Sequence, residues 1–348
     1  MGARLRAAPR RRRSATIRDV ARRAGVSPAT ASRVLSASRH PVSERGRRRV
    51  LAAARRLGYI PNLLARSLLT RETAAIGVLV PDVSNPYYAG VLRGIEDAAG
   101  PARRTVILCN TDRDPAKLRW YLRALMERRV DGLVVAGGSF GRAESAITGG
   151  ALPVVMIGRG PARLPCVRVD NVAAGALATR HLLELGHRRI ACLAGPAVST
   201  TAADRVAGYR RALREAGVPA AHEVVLEAGF TPAGVPALVA RLLAREPAPT
   251  ALLAPNDLVA IAVVRALHEQ GRRVPEDVSV VGFDDIPVAS YVVPALTTVA
   301  VPAYALGRAA VEALGGLLAG RPAGTVVLPT ELRVRESTSV LDERRGLA

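Results

Sequence analysis

Two sets of residues in this 348-residue sequence have the types and spacing to do recognisable chemistry. The first is the run Ser27-Pro28-Ala29-Thr30-Ala31-Ser32-Arg33. Ser27 is a good N-cap and Pro28 suits a first helical position, so a helix starts there. Its early positions then present a few side chains on one face. Arg33 can make a bidentate contact to guanine O6 and N7, whereas Pro28 and Ala29 offer only apolar contact, as to a thymine methyl. Thr30 and Ser32 bring hydroxyls suited to phosphate, and Thr16 and Ser27, at two successive helix starts, join this DNA-contacting set. The second set is scattered in sequence but repeats one placement, polar or aromatic residues just after a short apolar run. Tyr87 and Tyr88 follow AIGVLV, Asp170-Asn171 follow VRV, Asn256-Asp257 follow ALLAP, and Asp284 follows VSVV. Carboxylates, amides and phenols placed this way suit hydrogen bonding to a small polar ligand.

The elements that must position these residues are legible from pattern. Thr16 with Asp19 reads as a capping box, and Ile17, Val20, Ala21 and Ala24 form an apolar stripe at helical spacing. Gly25 ends that helix and turns the chain, Val26 plugs the gap, and the Ser27 helix follows: a helix-turn-helix, whose second helix enters the major groove. A third helix, Ser43 to Leu57, offers Val50, Leu51, Ala54 and Leu57 to close a three-helix core. The same pattern also fits a helical hairpin within an unrelated fold. From Ala75 onward, short apolar strands (75–80, 105–109, 132–136, 153–157, 189–194, 251–254, 278–282) alternate with helices (87–99, 115–128, 171–185, 202–216, 232–244, 256–270). This alternation predicts doubly wound parallel sheets in two Rossmann-like lobes. A last helix (303–319) and strands near 325–328 and 331–335 cross back to brace both. In such folds a ligand sits beyond the carboxyl ends of the strands, here between the lobes.

Charge supports a polyanion partner for the first set. The net charge is +21, and residues 1–72 hold 19 arginines against three acids, while the rest holds 31 Lys+Arg against 26 Asp+Glu. Arginine usage reflects composition bias, but that bias does not explain the missing acids at one end. No apolar run reaches the ~18 residues of a membrane span, and the basic N-terminus leads into no apolar h-region. Three scattered cysteines with no CxxC fit a reducing cytoplasm. The five histidines show no metal-ligand spacing, Gly137 to Gly141 lack a phosphate-loop Lys-Ser/Thr, and no nucleophile–base pair emerges; no cofactor or metal is expected.

The block TIRDVARRAGVSPATASRVLS…GYIPNLLARSLLT resembles the headpiece and hinge of the lactose/galactose repressor (LacI/GalR) family, and the strand-end pattern resembles that family's effector domain. The likeness covers residues 15–340. It implies a disordered basic arm (1–14), a helix-turn-helix headpiece (15–61), a hinge helix and linker (62–72), and a two-lobed, periplasmic-binding-protein-like domain (73–340). The first lobe is placed at about 73–170 and 302–329, the second at about 171–301 and 330–340. Within the hinge, Asn62, Arg66, Ser67 and Leu68 are implied at DNA, with Leu68 wedged between base pairs to kink the duplex. Tyr87, Tyr88, Phe230, Asn256 and Asp284 match pocket-lining positions, with Arg205 and Ser199 near the cleft. Ser199 stands where some relatives place a ligand-clamping arginine, which favours a sugar-like effector over a purine. Asp170 and Asp257 belong to the candidate ligand set but also fit helix caps, the reading preferred for both.

The function implied is a cytoplasmic, nucleoid-associated transcription regulator, a repressor working as a homodimer on a palindromic operator, with affinity set by a small polar effector. The C-terminal LDERRGLA has no leucine heptads, so a zipper tetramer is not expected. Two other classes stay open at this point: a solute-binding transport receptor, which lacks a signal peptide, and an enzyme on a Rossmann-type scaffold, which lacks a phosphate fingerprint.

Overall fold

The computed structural model describes residues 15–35, 41–59, 73–137, 147, 149 and 152–341. They fall into two compact units, one within residues 1–73 and one within 74–348.

Among the described residues the first unit has three helices, α1 (Ile17–Ala24), α2 (Pro28–Leu35) and α3 (Glu44–Leu57). Thr16 and Asp19 cap α1 reciprocally. The Thr16 side chain accepts from Asp19 N, and Asp19 accepts from Thr16 N at 3.0 Å. Gly25 then adopts φ +62°, the left-handed conformation that lets the chain turn at once into α2. Val20, Ala21, Ala24, Ala31, Val34, Val50, Ala53 and Ala54 form the core, with Val26 packed against it. Leu51 departs from expectation, being 41% exposed. Val50, Ala53, Ala54 and Leu57 recur at helical spacing and claim the inner face, which turns Leu51 about 100° away.

The second unit contains two six-stranded sheets. One has the order β11-β5-β4-β3-β1-β2, built from β1 (Ala75–Val80), β2 (Thr105–Asn110), β3 (Gly132–Ala136), β4 (Val154–Ile157), β5 (Cys166–Val169) and β11 (Val326–Leu328). The other has the order β12-β10-β9-β8-β6-β7, from β6 (Ile190–Ala194), β7 (Val224–Glu227), β8 (Ala251–Leu253), β9 (Ser279–Asp284), β10 (Thr297–Ala300) and β12 (Glu331–Arg333). Every pairing is parallel except β10 with β12. Central strands such as β3 and β4 are buried along their whole length, as parallel strands covered on both faces must be. The α-helices among the described residues are α4 (Pro86–Ala99), α5 (Pro115–Glu127), α6 (Asn171–Glu184), α7 (Thr200–Glu215), α8 (Val235–Leu243), α9 (Asp257–Glu269) and α10 (Ala303–Leu318). The chain crosses between the sheets after β5, after β10 and between β11 and β12.

Three strands have no range in the sequence-based set, β5, β7 and β10, although the VRV run of β5 was noted there. β7 is a half-exposed edge strand, and β10 buries two threonines in place of an apolar pair. α6 and α7 cross at Gly175 and Gly208, where a Cβ would collide with the facing backbone. That close crossing fixes the base from which α7 presents Arg205.

Candidate ligand cleft and nucleic-acid interface

On α2, Ala31 and Val34 face the core, leaving Ser27, Pro28, Ala29 and Arg33 exposed and Thr30 and Ser32 half-buried. Ser27 Oγ accepts from Thr30 N at 3.1 Å and shares a hydrogen bond with Thr30 Oγ1 at 2.9 Å, so both hydroxyls are held at the helix start. Thr16 is exposed at the start of α1. The outward face thus joins a guanidinium, small apolar groups and fixed hydroxyls, the combination that reads base edges and phosphates. Asn62, Arg66, Ser67 and Leu68 lie outside the described residues, as do Gly138 to Gly141.

In the second unit a cavity of about 250 Å³ lies at the carboxyl ends of the strands, between the sheets. It is lined by Tyr87, Tyr88, Ser199, Arg205, Phe230, Asn256 and Asp284 of the sequence-derived set. Tyr87 and Tyr88 open α4, their rings edge-to-face at 5.0 Å. Burial raises both hydroxyls, Tyr88 to about 12, so both are proton donors near neutrality.

Arg205 is the hub. Its Nε donates to Asn171 Oδ1 at 3.0 Å, Nη1 donates to Pro255 O at 2.5 Å, and Nη2 faces Asp284 Oδ1 at 3.5 Å. The guanidinium stacks over Phe283, 4.2 Å from the ring centre. Both side chains of the ion pair are under 10% exposed. Burial pushes the Asp284 carboxyl up to about 6, opposed by Arg205. Asp284 and Asp285 also hold φ of +105° and +55°, a costly backbone for non-glycine residues. Asp285 is fixed there by Arg335, whose Nη2 donates to it at 2.6 Å.

Two residues of the candidate ligand set do not line the cavity. Asp170 caps α6, accepting from Ala173 N at 2.9 Å. Asp257 is fully buried beneath the cleft, accepting from Thr298 Oγ1 at 2.6 Å and Ile286 N at 2.9 Å. Nor does Asp257 cap α9. Asn256 does, its Oδ1 accepting from Val259 N at 2.9 Å while its Nδ2 donates to Phe230 O at 3.0 Å. Asp257 instead ties α9 to β10 and the segment after β9. Burial, reinforced by Asp284, drives its carboxyl well above the ordinary range.

Asn171, of the strand-end set, also lines the cavity, and so do Thr111, Arg113 and Arg168, to which sequence reasoning assigned no ligand role. The signal for Thr111 and Arg113 was present, since they follow β2 at its carboxyl end. Arg113 lies 5.0 Å over the Phe230 ring, joining loops that follow strands of different sheets. Beside the cleft, Arg159 after β4 meets Asp204 of α7 at 3.0 Å, a second link across it.

The lining supplies an ionisable acceptor, guanidinium, hydroxyl and amide donors, and aromatic walls: the equipment for binding a small polar molecule. Among the described residues no cluster of three or more metal-ligating side chains occurs, and no helix is long and apolar enough to cross a membrane.

Comparison with known proteins agrees with both halves. Residues 16–62 match the model for bacterial regulatory proteins, lacI family, and residues 179–338 match that for a periplasmic binding protein-like domain. The chain is 38% identical over 326 residues to the ribose operon repressor of Halalkalibacterium halodurans, covering 93% of this chain and 97% of that one. It is 37% identical to the transcriptional repressor PurR of Photobacterium profundum, covering 86% and 91%. A crystal structure of the Lac repressor dimer bound to operator and the anti-inducer ONPF matches with a TM-score of 0.84 at 30% identity, covering 94% of this chain and all of that one.

Proposed function

The chain belongs to the lacI family of DNA-binding transcription regulators, and from that premise we propose that it is a homodimeric repressor of palindromic operators, released or tightened by a sugar-like effector in the cleft. The family is one of regulators, not enzymes. The site of action is the nucleoid, in the cytoplasm. On DNA, α2 reads the major groove through Arg33, and Asn62, Arg66, Ser67 and Leu68 act at the minor groove, with Leu68 as the wedge.

One observation carries the ligand half: the buried Arg205–Asp284 pair opens onto a cavity. Removing two charges from water is costly, and a pair retained at the wall of a pocket gives a polar ligand both an acceptor and a donor array. Ser199 supports a sugar over a purine. Its side chain is short and already engaged as the cap of α7, so it leaves space rather than a clamp. The coupling requires only that ligand prefer one arrangement of the lobes, and that the operator prefer one as well.

The experiment is fluorescence anisotropy with operators selected from a random duplex library. At ~150 mM salt, the expected affinity for a selected palindrome exceeds that for scrambled duplex by about a thousandfold or more. Arg33→Ala relaxes preference at one base pair, and a sugar panel contains a compound that shifts operator affinity. Equal binding to palindromic and scrambled DNA would sink the regulator reading.

A further inference from the structure

We propose that the ligand of the cleft carries an anionic group, a carboxylate or phosphate, and that Arg113 receives it. This rests on the cleft being the effector site, and it narrows the ligand to an acidic or phosphorylated polyol.

The argument is a balance of charge. Five arginine and aspartate side chains line the cavity: Arg113, Arg168, Arg205, Asp114 and Asp284. Both acids are already committed. Asp284 faces Arg205, and Asp114 caps α5, accepting from Ala116 N at 2.7 Å. With Asp284 set against Arg205, Arg113 and Arg168 outnumber the one remaining acid of the lining, Asp114, and leave it an excess of positive charge. Arg168 makes no ion pair among the described residues, and its neighbour Asp204 is engaged by Arg159. Arg113 has only a long contact to Asp82, whose Oδ2 lies 4.0 Å from Nη2 while its Oδ1 accepts from Ser84 N and Ser84 Oγ at 3.0 and 2.6 Å.

Backbone geometry singles out Arg113 of the two. Asp112 and Arg113 are consecutive non-glycine residues at φ +51° and +58°. A left-handed pair of this kind costs energy and persists only where surroundings hold it. Asp112 is clamped by Lys117 and by Asn110 Nδ2, which pins the turn and with it the direction of Arg113. The guanidinium lies 5.0 Å over the Phe230 ring, and a guanidinium held at a ring face can still offer its in-plane N–H groups to an oxyanion. The N-termini of α4, α5, α6, α7 and α9 also open at the cavity through Asn85, Asp114, Asn171, Ser199 and Asn256, and their dipoles add positive potential to the same space. Hydroxyls of the ligand then face Asp284 and Arg205.

The test uses the full-length protein, Arg113→Gln and Arg113→Lys. Calorimetry compares matched probes: D-glucose, D-gluconate and D-glucose 6-phosphate, and the corresponding D-ribose series. Inorganic phosphate is compared with chloride at equal ionic strength by thermal shift. In the wild type an acidic or phosphorylated member binds about 10- to 100-fold tighter than its neutral counterpart, as a charge-assisted contact implies. That preference collapses in Arg113→Gln and is largely kept in Arg113→Lys. The ranking of carboxylate against phosphate identifies the anion. Inorganic phosphate raises the melting temperature of the wild type more than that of Arg113→Gln, a difference that cancels phosphate binding at the basic headpiece. Phosphate shifting both proteins alike would overturn the proposal. A neutral sugar that binds as tightly as its acid and alters operator affinity overturns it as well, yet leaves the regulator reading standing. An anionic probe bound through Arg113 with no effect on operator affinity supports the site and rejects its role as effector pocket.

Discussion

At Asp284 two forces oppose each other: burial raises the carboxyl while Arg205 pulls it down, and burial prevails, leaving it at about 6. It therefore gives up its proton well above the ordinary carboxylate range, within reach of physiological pH. A ligand hydroxyl donates best to the ionised form. Effector affinity is thus expected to be level above about pH 7 and to fall as pH drops through 6, approaching tenfold per unit. Asp284→Asn lowers affinity at pH 7.5 by about 10- to 100-fold and flattens the profile. Calorimetry from pH 5 to 8 checks both, and an unchanged slope in the variant assigns the titration elsewhere. Asp284 could be nominated from sequence because strand ends are where such folds put polar groups. The same rule cannot say whether a residue faces the cleft or the sheet beneath it. Asn256 and Asp257 are adjacent, yet one lines the cavity and the other is buried against β10. Arg113 also follows a strand end, but its direction depends on a left-handed turn pinned by Lys117, a contact no residue pattern announces.

At the scale of elements, periodicity was a strong guide wherever apolar residues alternate with turns. It failed where composition carried the wrong sign. β10 begins with two fully buried threonines, one donating to Asp257 and one bonded to the C-terminal segment through Ser337 and Thr338, so its burial is tertiary in origin. In α3 the helix was legible but its rotation was not, because the run Val50-Leu51-Ala52-Ala53-Ala54 with Leu57 allows more than one inner face. The packed face uses Val50 and turns Leu51 outward. Truncating Val50 to Ala is expected to cost about 2 kcal/mol, whereas Leu51→Ala stays within about 0.5 kcal/mol. In the full-length protein, hydrogen exchange of headpiece amides reads this directly. Exchange quickens roughly thirtyfold in Val50→Ala and changes little in Leu51→Ala; a comparable quickening in both would restore the sequence-based expectation that both are core.

For the whole molecule, the decisive variable is how the halves of the cleft are held together. The ligand supplies one link, and the protein supplies another in Arg159 and Asp204, which project from elements of different sheets and meet at 3.0 Å. Arg159 is half exposed, so solvent screens the pair and its net worth is at most about 1 kcal/mol. That is small for stability, yet a two-state equilibrium shifts about fivefold for the same energy. Because the pair forms only when these elements approach, its removal biases the lobes apart without touching the ligand. Asp204→Asn or Arg159→Gln is therefore expected to weaken effector binding up to about fivefold, with a matching change in operator affinity, since linkage makes the coupling reciprocal. The double variant adds nothing to either single one, and the charge-swapped pair, Arg159→Asp with Asp204→Arg, restores much of the loss. Raising salt from about 50 to 500 mM narrows the gap between wild type and Asp204→Asn, because screening has already dissolved the link in both. If the two single variants were simply additive, the residues would act independently, and the arrangement of the lobes would rest on other contacts such as the Arg113–Phe230 stack.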